Sequence, residues 1–278
     1  MVFWPGQRAL AEQTLEVAQA GFPLPGIPPS HQRVVGTIIL APTAAAFDSL
    51  ARGAPAWSAA VAIPDQQVII IPAYSGARTR FGEPLVTLRH ELAHLALNAY
   101  LGPEIPRWFH EGYATWVSGG FNQEAAWKLR LAFLLGRAPP LDSLTLSWPR
   151  GEDRARLGYL LSASAVQYLA TRSGEPAFAA LLEAWREHGD FNSALRSTFL
   201  MTPGQVEEEW RGMVRRRYGW LLALSQTAVF WFALTVLFVI FGSFRRRHNR
   251  ARMAALEAEE YMLPPAGGSG VDGEKWPE

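Results

Sequence analysis

LRHELAHLALNAYLGPEIPRWFHEGYATW, residues Leu88–Trp116, carries two histidines four positions apart, a glutamate directly after the first, and a second glutamate separated from His94 by sixteen residues. On a helix, His90 and His94 stand one turn plus about 40° apart and project from one face, so their imidazoles can share a metal ion. Glu91 lies about 100° from His90 and about 60° from His94, near enough to reach a water on that ion without being forced to bind it. The His-Glu-x-x-His pattern therefore supplies two neutral nitrogen ligands and a carboxylate general base.

Two histidines make an incomplete site, because a zinc ion doing chemistry needs a third ligand and an open position. Glu111, in a second helix after the turn Leu101–Pro106, is the favoured third ligand. His110, one residue earlier and projecting about 100° away, is its main competitor. Glu104 sits in the turn itself, where a side chain is held less rigidly. With six histidines and nineteen glutamates in 278 residues, the motif arises by chance at a frequency of roughly 0.01. Flanking Leu88, Leu92, Leu95 and Leu97 predict a buried helix, where unpaired histidines would be costly. A reading of His90 and His94 as solvated surface histidines fits poorly there. His31, His188 and His248 have no companions at ligand spacing.

The motif's surroundings set the fold class. Residues 7–19 show helical spacing, GFPLPGIPP breaks the chain, and RVVGTIILAP reads as a strand followed by a short helix, TAAAFDSLA. WSAAVAI and QVIIIPAY read as a hairpin or adjacent strands. From Pro84 onward the pattern is helical: the two motif helices, QEAAWKLRLAFLLG, a Pro-rich connection at 137–153, and further helices at 153–172, 175–187 and 202–218. This order predicts an α+β domain over 1–218, with a small strand-rich lobe at about 33–83, zinc helices at about 84–118 and a helical lobe at about 122–218.

GWLLALSQTAVFWFALTVLFVIFGSF, Gly219–Phe244, has no charged residue over more than the roughly 20 residues that a bilayer core requires. It is expected to be a transmembrane helix, followed by a basic and then disordered tail over 245–278. Arginines at 245, 246, 247, 250 and 252 slightly outweigh those at 211, 215, 216 and 217. The expected orientation is a cytoplasmic C-terminus with the catalytic domain outside the cytoplasm, although the first residues show no signal peptide. The intramembrane alternative fails because the only span contains no histidine.

Composition removes other classes. The chain has no cysteine, which excludes disulfides, thiolate zinc sites and cysteine nucleophiles. A net charge of +1 with scattered arginines gives no basic stripe for nucleic acid.

HELAH followed by PRWFHEGYA resembles the gluzincin zinc metallopeptidases, in particular the bacterial peptidase MA-like families, whose pattern is HExxH and then a Pro-Trp-x-x-Glu-Gly-x-Ala segment bearing the third ligand. The likeness covers roughly residues 33–218, most strongly 86–116, and continues more weakly through Leu157–Trp185. It implies a gluzincin-like catalytic domain with Zn2+ held by His90, His94 and Glu111, and Glu91 as general base. It also implies a tyrosine facing the metal, best matched by Tyr159, with Tyr113 the alternative donor to the oxyanion. The resemblance further assigns QVIIIPAY to the strand that lines the cleft and pairs with an extended substrate. No GAMEN-like segment precedes the zinc helix, so aminopeptidase activity is not implied. Asn98, one turn after His94, is a candidate to steady a ligand, though a helix-surface role fits it better.

The expected function is hydrolysis of peptide or protein substrates near a membrane: a zinc-activated water attacks the carbonyl, Glu91 takes its proton and passes it to the leaving amine, and Tyr159 stabilises the oxyanion. The alternative from another class is a zinc-stabilised interaction module without catalysis. A module has no use for Glu91, and the glutamate is present.

Overall fold

The computed structural model describes residues 1–55, 58–74, 76–77, 83–149 and 151–262. The tail beyond Met262, expected to be disordered, lies outside them. The chain divides into two units, Met1–Tyr218 and Gly219–Glu278.

The first unit is an α+β fold that begins with helix α1, Arg8–Ala20. A three-stranded sheet follows, with β1 at Thr37–Ala41, β2 at Val61–Ile63 and β3 at Val68–Pro72, and α2 at Ala44–Leu50 between β1 and β2. Thr43 caps α2, its hydroxyl accepting from the Ala46 amide. The strand order is β1-β3-β2. β3 pairs in parallel with β1, Thr37 opposite Val68, and antiparallel with β2, Ala62 opposite Ile69. A 3-10 turn, Pro64–Gln66, makes the β2–β3 connection, and Gln67 takes the left-handed conformation after it.

The apolar run VIIIP is explained by this central place. Ile69 faces a cluster with Ile38, Leu40, Leu88, Leu95 and Ala11, while Ile70 faces Ala41, Phe47 and Ala51 on the other side. A strand covered on both faces carries apolar residues in succession. It follows that QVIIIPAY cannot be the open edge expected of it, because both its neighbours are taken. At the outer side of β1, the Val2 amide donates to Ile38 O and the Leu40 amide to Val2 O. Among the described residues β2 has no strand on its outer side, where its Ala62 amide is taken by Glu91.

Helix α3, Pro84–Leu101, starts with Pro84 in its first turn and ends at Gly102, whose φ of 86° a side chain would resist. After the turn, α4 runs from Arg107 to Val117 behind Pro106. Further helices are α5, Gln123–Leu134; α6, Leu141–Leu146; α7, Glu152–Arg172; α8, Glu175–His188; α9, Phe191–Phe199; and α10, Pro203–Met262, of which residues 203–218 belong to the first unit. Two of these, α6 inside the Pro-rich connection and α9, go beyond the sequence reading. Each is short: α6 is signalled by little more than Leu141 and Leu144, and α9 by Phe191, Ala194 and Leu195, which become buried on folding.

Aromatic pairs run through the core around these helices. Phe109 meets Trp185 edge-on at 4.9 Å between ring centres, and Phe191 lies 4.7 Å from Trp185 and 5.8 Å from Trp108. Such pairs add about 0.5–1.5 kcal/mol each beyond their buried area. They fix α4 against α8 and α9. On its other side α4 meets α7 so closely that a Cβ on Gly112 would stand 2.5 Å from the carbonyl oxygen of Ser162. Only hydrogen fits there.

In the second unit, Val229–Arg246 is a helical stretch long and apolar enough to cross a membrane by length and composition, with mean hydropathy 1.6 and none of it buried. It covers the later part of the expected span and ends two residues beyond it; the first ten residues of that span are helical but have side chains outside the description.

Gly112→Ala is expected to destabilise the chain by about 1–3 kcal/mol through this overpacking. Gly151→Ala, at a position with no heavy atom within 4 Å of the added Cβ, is expected to stay within about 0.5 kcal/mol. Urea denaturation of the full chain in a mild detergent checks both.

Candidate metal centre

α3 and α4 meet at an angle that brings three ligand-type side chains together. His90 Nε2 and His94 Nε2 lie 3.0 Å apart, and Glu111 Oε2 is 3.4 Å from each. His90 is fully buried, His94 nearly so, and Glu111 partly. These three form a possible metal site.

The triangle can be compared with what an ion demands. Ligand atoms of a tetrahedral zinc ion, with bonds of about 2.0–2.1 Å, stand roughly 3.3–3.4 Å from one another. The observed edges of 3.0, 3.4 and 3.4 Å fit that face with a slight contraction between the histidines. The donor set of two imidazoles and one carboxylate suits zinc among several divalent ions.

Electrostatics keep Glu111 ionised. Burial pushes its carboxyl up, but the hydrogen bonds and charges of His90 and His94 outweigh this and hold it well below the usual carboxylate range. The oxygen is thus an acceptor aimed at the two imidazoles.

His110, the competing ligand, is placed elsewhere. Its ring lies against His94 at 4.2 Å between centres, it is held by a hydrogen bond to the His94 backbone, and it is not in the converging set. Burial first, and the His94 charge second, push it down to about 3. It is a neutral wall of the site at physiological pH. Glu104 is exposed in the turn.

Glu91 is buried, and its Oε2 accepts from the backbone amide of Ala62 at 2.7 Å. Ala62 sits in β2, so the carboxylate bridges α3 and the edge strand of the sheet. That contact was hidden from the sequence, because it depends on which strand ends up at the edge. Tyr159, on α7, presents its ring edge-on to His90 with 6.3 Å between centres, and Trp148 backs it at 5.0 Å. Tyr113 does not face the site: its hydroxyl donates to the carbonyl of Pro25 at 2.9 Å, and its side chain is fully buried. Asn98 reaches the Gly102 carbonyl, which makes it a helix-end contact and not a support for a ligand.

With this geometry in view, the comparison with known families is decisive. A family model described as the Peptidase MA superfamily matches residues 33–216, well over half of the chain. The chain belongs to the Peptidase MA superfamily. The match begins just before β1 and ends within α10, so it takes in the sheet, both motif helices and the helical lobe. A search of curated proteins finds no match to this Peptidase MA member.

The neutral His110 gives stability a pH dependence. Its pKa is about 3 in the folded protein against an ordinary 6.5, so the unfolded chain takes up a proton first as pH falls. The stabilisation is complete above pH 6.5 and is lost on the way down towards pH 3, by up to about 1.4 kcal/mol per pH unit. His110→Phe is expected to flatten the urea-midpoint profile between pH 7 and pH 5 relative to the wild type.

Proposed function

We propose that this Peptidase MA member is a membrane-anchored zinc metallopeptidase that hydrolyses peptide or protein substrates. The observation that carries the reading is the convergence of His90, His94 and Glu111 with a further carboxylate, Glu91, one residue along the same helix. Zinc bound to these three side chains would supply a Lewis acid and a water acidic enough to lose a proton near neutral pH.

The remaining steps belong to the chain's own residues. Glu91 takes the proton of the attacking water and returns it to the departing amine. The amide of Ala62 holds one oxygen of that carboxylate, so the base is oriented before substrate arrives. Tyr159, beside His90, donates a hydrogen bond to the tetrahedral oxyanion. The substrate lies extended beside β2 in place of the enclosed β3, without pairing to the Ala62 amide, which Glu91 holds. His94, His110 and Trp148 help to exclude bulk water, which strengthens each of these contacts.

The anchor is Gly219–Phe244, whose later part falls in the apolar stretch Val229–Arg246, oriented with the arginines that follow Phe244 in the cytoplasm and residues 1–218 outside it.

Glu91→Gln removes the base while leaving all three ligands. On a mixture of unstructured peptides, the full-length variant is expected to lose about 10²–10⁴-fold in turnover with unchanged bound zinc. Equal cleavage by both proteins would remove Glu91 from the mechanism. Zinc in both with cleavage in neither would favour the non-catalytic interaction module.

A further inference from the structure

Arg107 opens α4 and stands one helical turn, about 6 Å along the axis, before Glu111. Its guanidinium lies over Trp148, with Cζ 5.0 Å from the ring centre. Trp148 in turn lies 5.0 Å from Tyr159, and Tyr159 stands edge-on to His90 at 6.3 Å. Even laid end to end, these contacts keep the guanidinium within about 16 Å of the His90 ring, a span of roughly five extended residues. Arg107 is exposed, and among the described residues it forms no ion pair and no side-chain hydrogen bond. The two nearest acids in sequence are occupied or turned away: Glu111 faces the two imidazoles, and Glu104 stands exposed in the turn. Two other arginines that lie over rings, Arg172 and Arg211, also close on a glutamate, Glu209 and Glu207. Arg107 has the ring without the acid. The indole N–H of Trp148 is likewise buried and without an acceptor, which in a folded protein calls for an explanation.

We propose that Arg107, held by Trp148, is a specificity-determining residue that takes a substrate carboxylate within about five residues of the scissile bond. The proposal rests on the peptidase reading of the site and narrows its substrates to acidic peptides or peptides with a free C-terminus. A ring beneath a guanidinium limits its rotation and leaves the N–H groups at its edge free, and that planar fork matches a carboxylate through two parallel bonds. A neutral carbonyl or hydroxyl gains about half as much from the same donors, and a substrate lysine is repelled. A role confined to the fold asks less of the site, since an exposed stack of this kind contributes only about 0.5–1 kcal/mol and needs no carboxylate.

Four matched sets of unstructured decapeptides test this, with free or amidated C-termini and with Asp and Glu either kept or replaced by Asn and Gln. The zinc-loaded full-length chain in a mild detergent is assayed as wild type, Arg107→Gln and Arg107→Lys, with cut positions read by mass spectrometry. The wild type is expected to cleave carboxylate-bearing peptides with kcat/KM about 10–100-fold above the fully neutral set. The difference is expected mainly in KM, as for a contact made equally before and during the reaction. Arg107→Gln is expected to erase it with bound zinc unchanged, and Arg107→Lys, a point charge without the fork, to keep a fraction. Anisotropy of labelled peptides on the zinc-loaded Glu91→Gln chain is expected to give the same order of affinity, lost when Arg107→Gln is added. A preference that follows the free C-terminus assigns the terminal carboxylate, and one that follows Asp or Glu at a fixed distance from the cut assigns a side chain. Equal kcat/KM on all four sets, or a preference that survives Arg107→Gln, overturns the proposal and leaves the peptidase reading standing. Cleavage of no set by the wild type removes that reading and this proposal with it.

Discussion

The contact between the carboxylate of Glu111 and the two imidazole nitrogens of His90 and His94 is the constraint on which the rest of the arrangement depends. Polar groups taken out of water must be given equivalent partners, and here two nitrogens 3.0 Å apart are set beside an ionised oxygen 3.4 Å from each. Two lone pairs so close repel unless a proton or a cation lies between them. A divalent ion satisfies all three atoms at once, so the cost of burying them becomes binding free energy.

The scaffold keeps two helices at a fixed separation across a short turn. The aromatic contacts of Trp108 and Phe109 seat α4 on α8 and α9, and the bare backbone of Gly112 lets it close on Ser162 of α7. Both lie within three residues of Glu111. The sheet contributes from the other side, where its edge strand gives the Ala62 amide to the Glu91 carboxylate.

Local pattern explains part of this arrangement and tertiary order the rest. His90 and His94 were legible as a pair because four residues return a helix to the same face, and Glu111 was legible because sixteen intervening residues suit a helix, a turn and a returning helix. His110 could be separated from Glu111 only by the roll of α4, which puts one ring against His94 and the neighbouring carboxylate into the cluster. Strand order was not legible: the run from Val68 to Pro72 is apolar because it is central, whereas its place before the motif helix had suggested the strand that pairs with substrate. Tyr113 and Tyr159 are alike in the sequence as aromatic residues within helical patterns, and the fold distinguishes them by turning one hydroxyl to Pro25 and the other ring to His90.

The most direct test of the central claim is a cobalt(II) titration of the metal-free full chain, followed by its visible absorption. The expected result is a band that saturates at one equivalent, has the intensity of a four- or five-coordinate ion, and is lost in Glu111→Ala while Glu104→Ala leaves it intact. The absence of a saturable band, or a band unchanged by Glu111→Ala, would contradict the assignment of His90, His94 and Glu111 as one site.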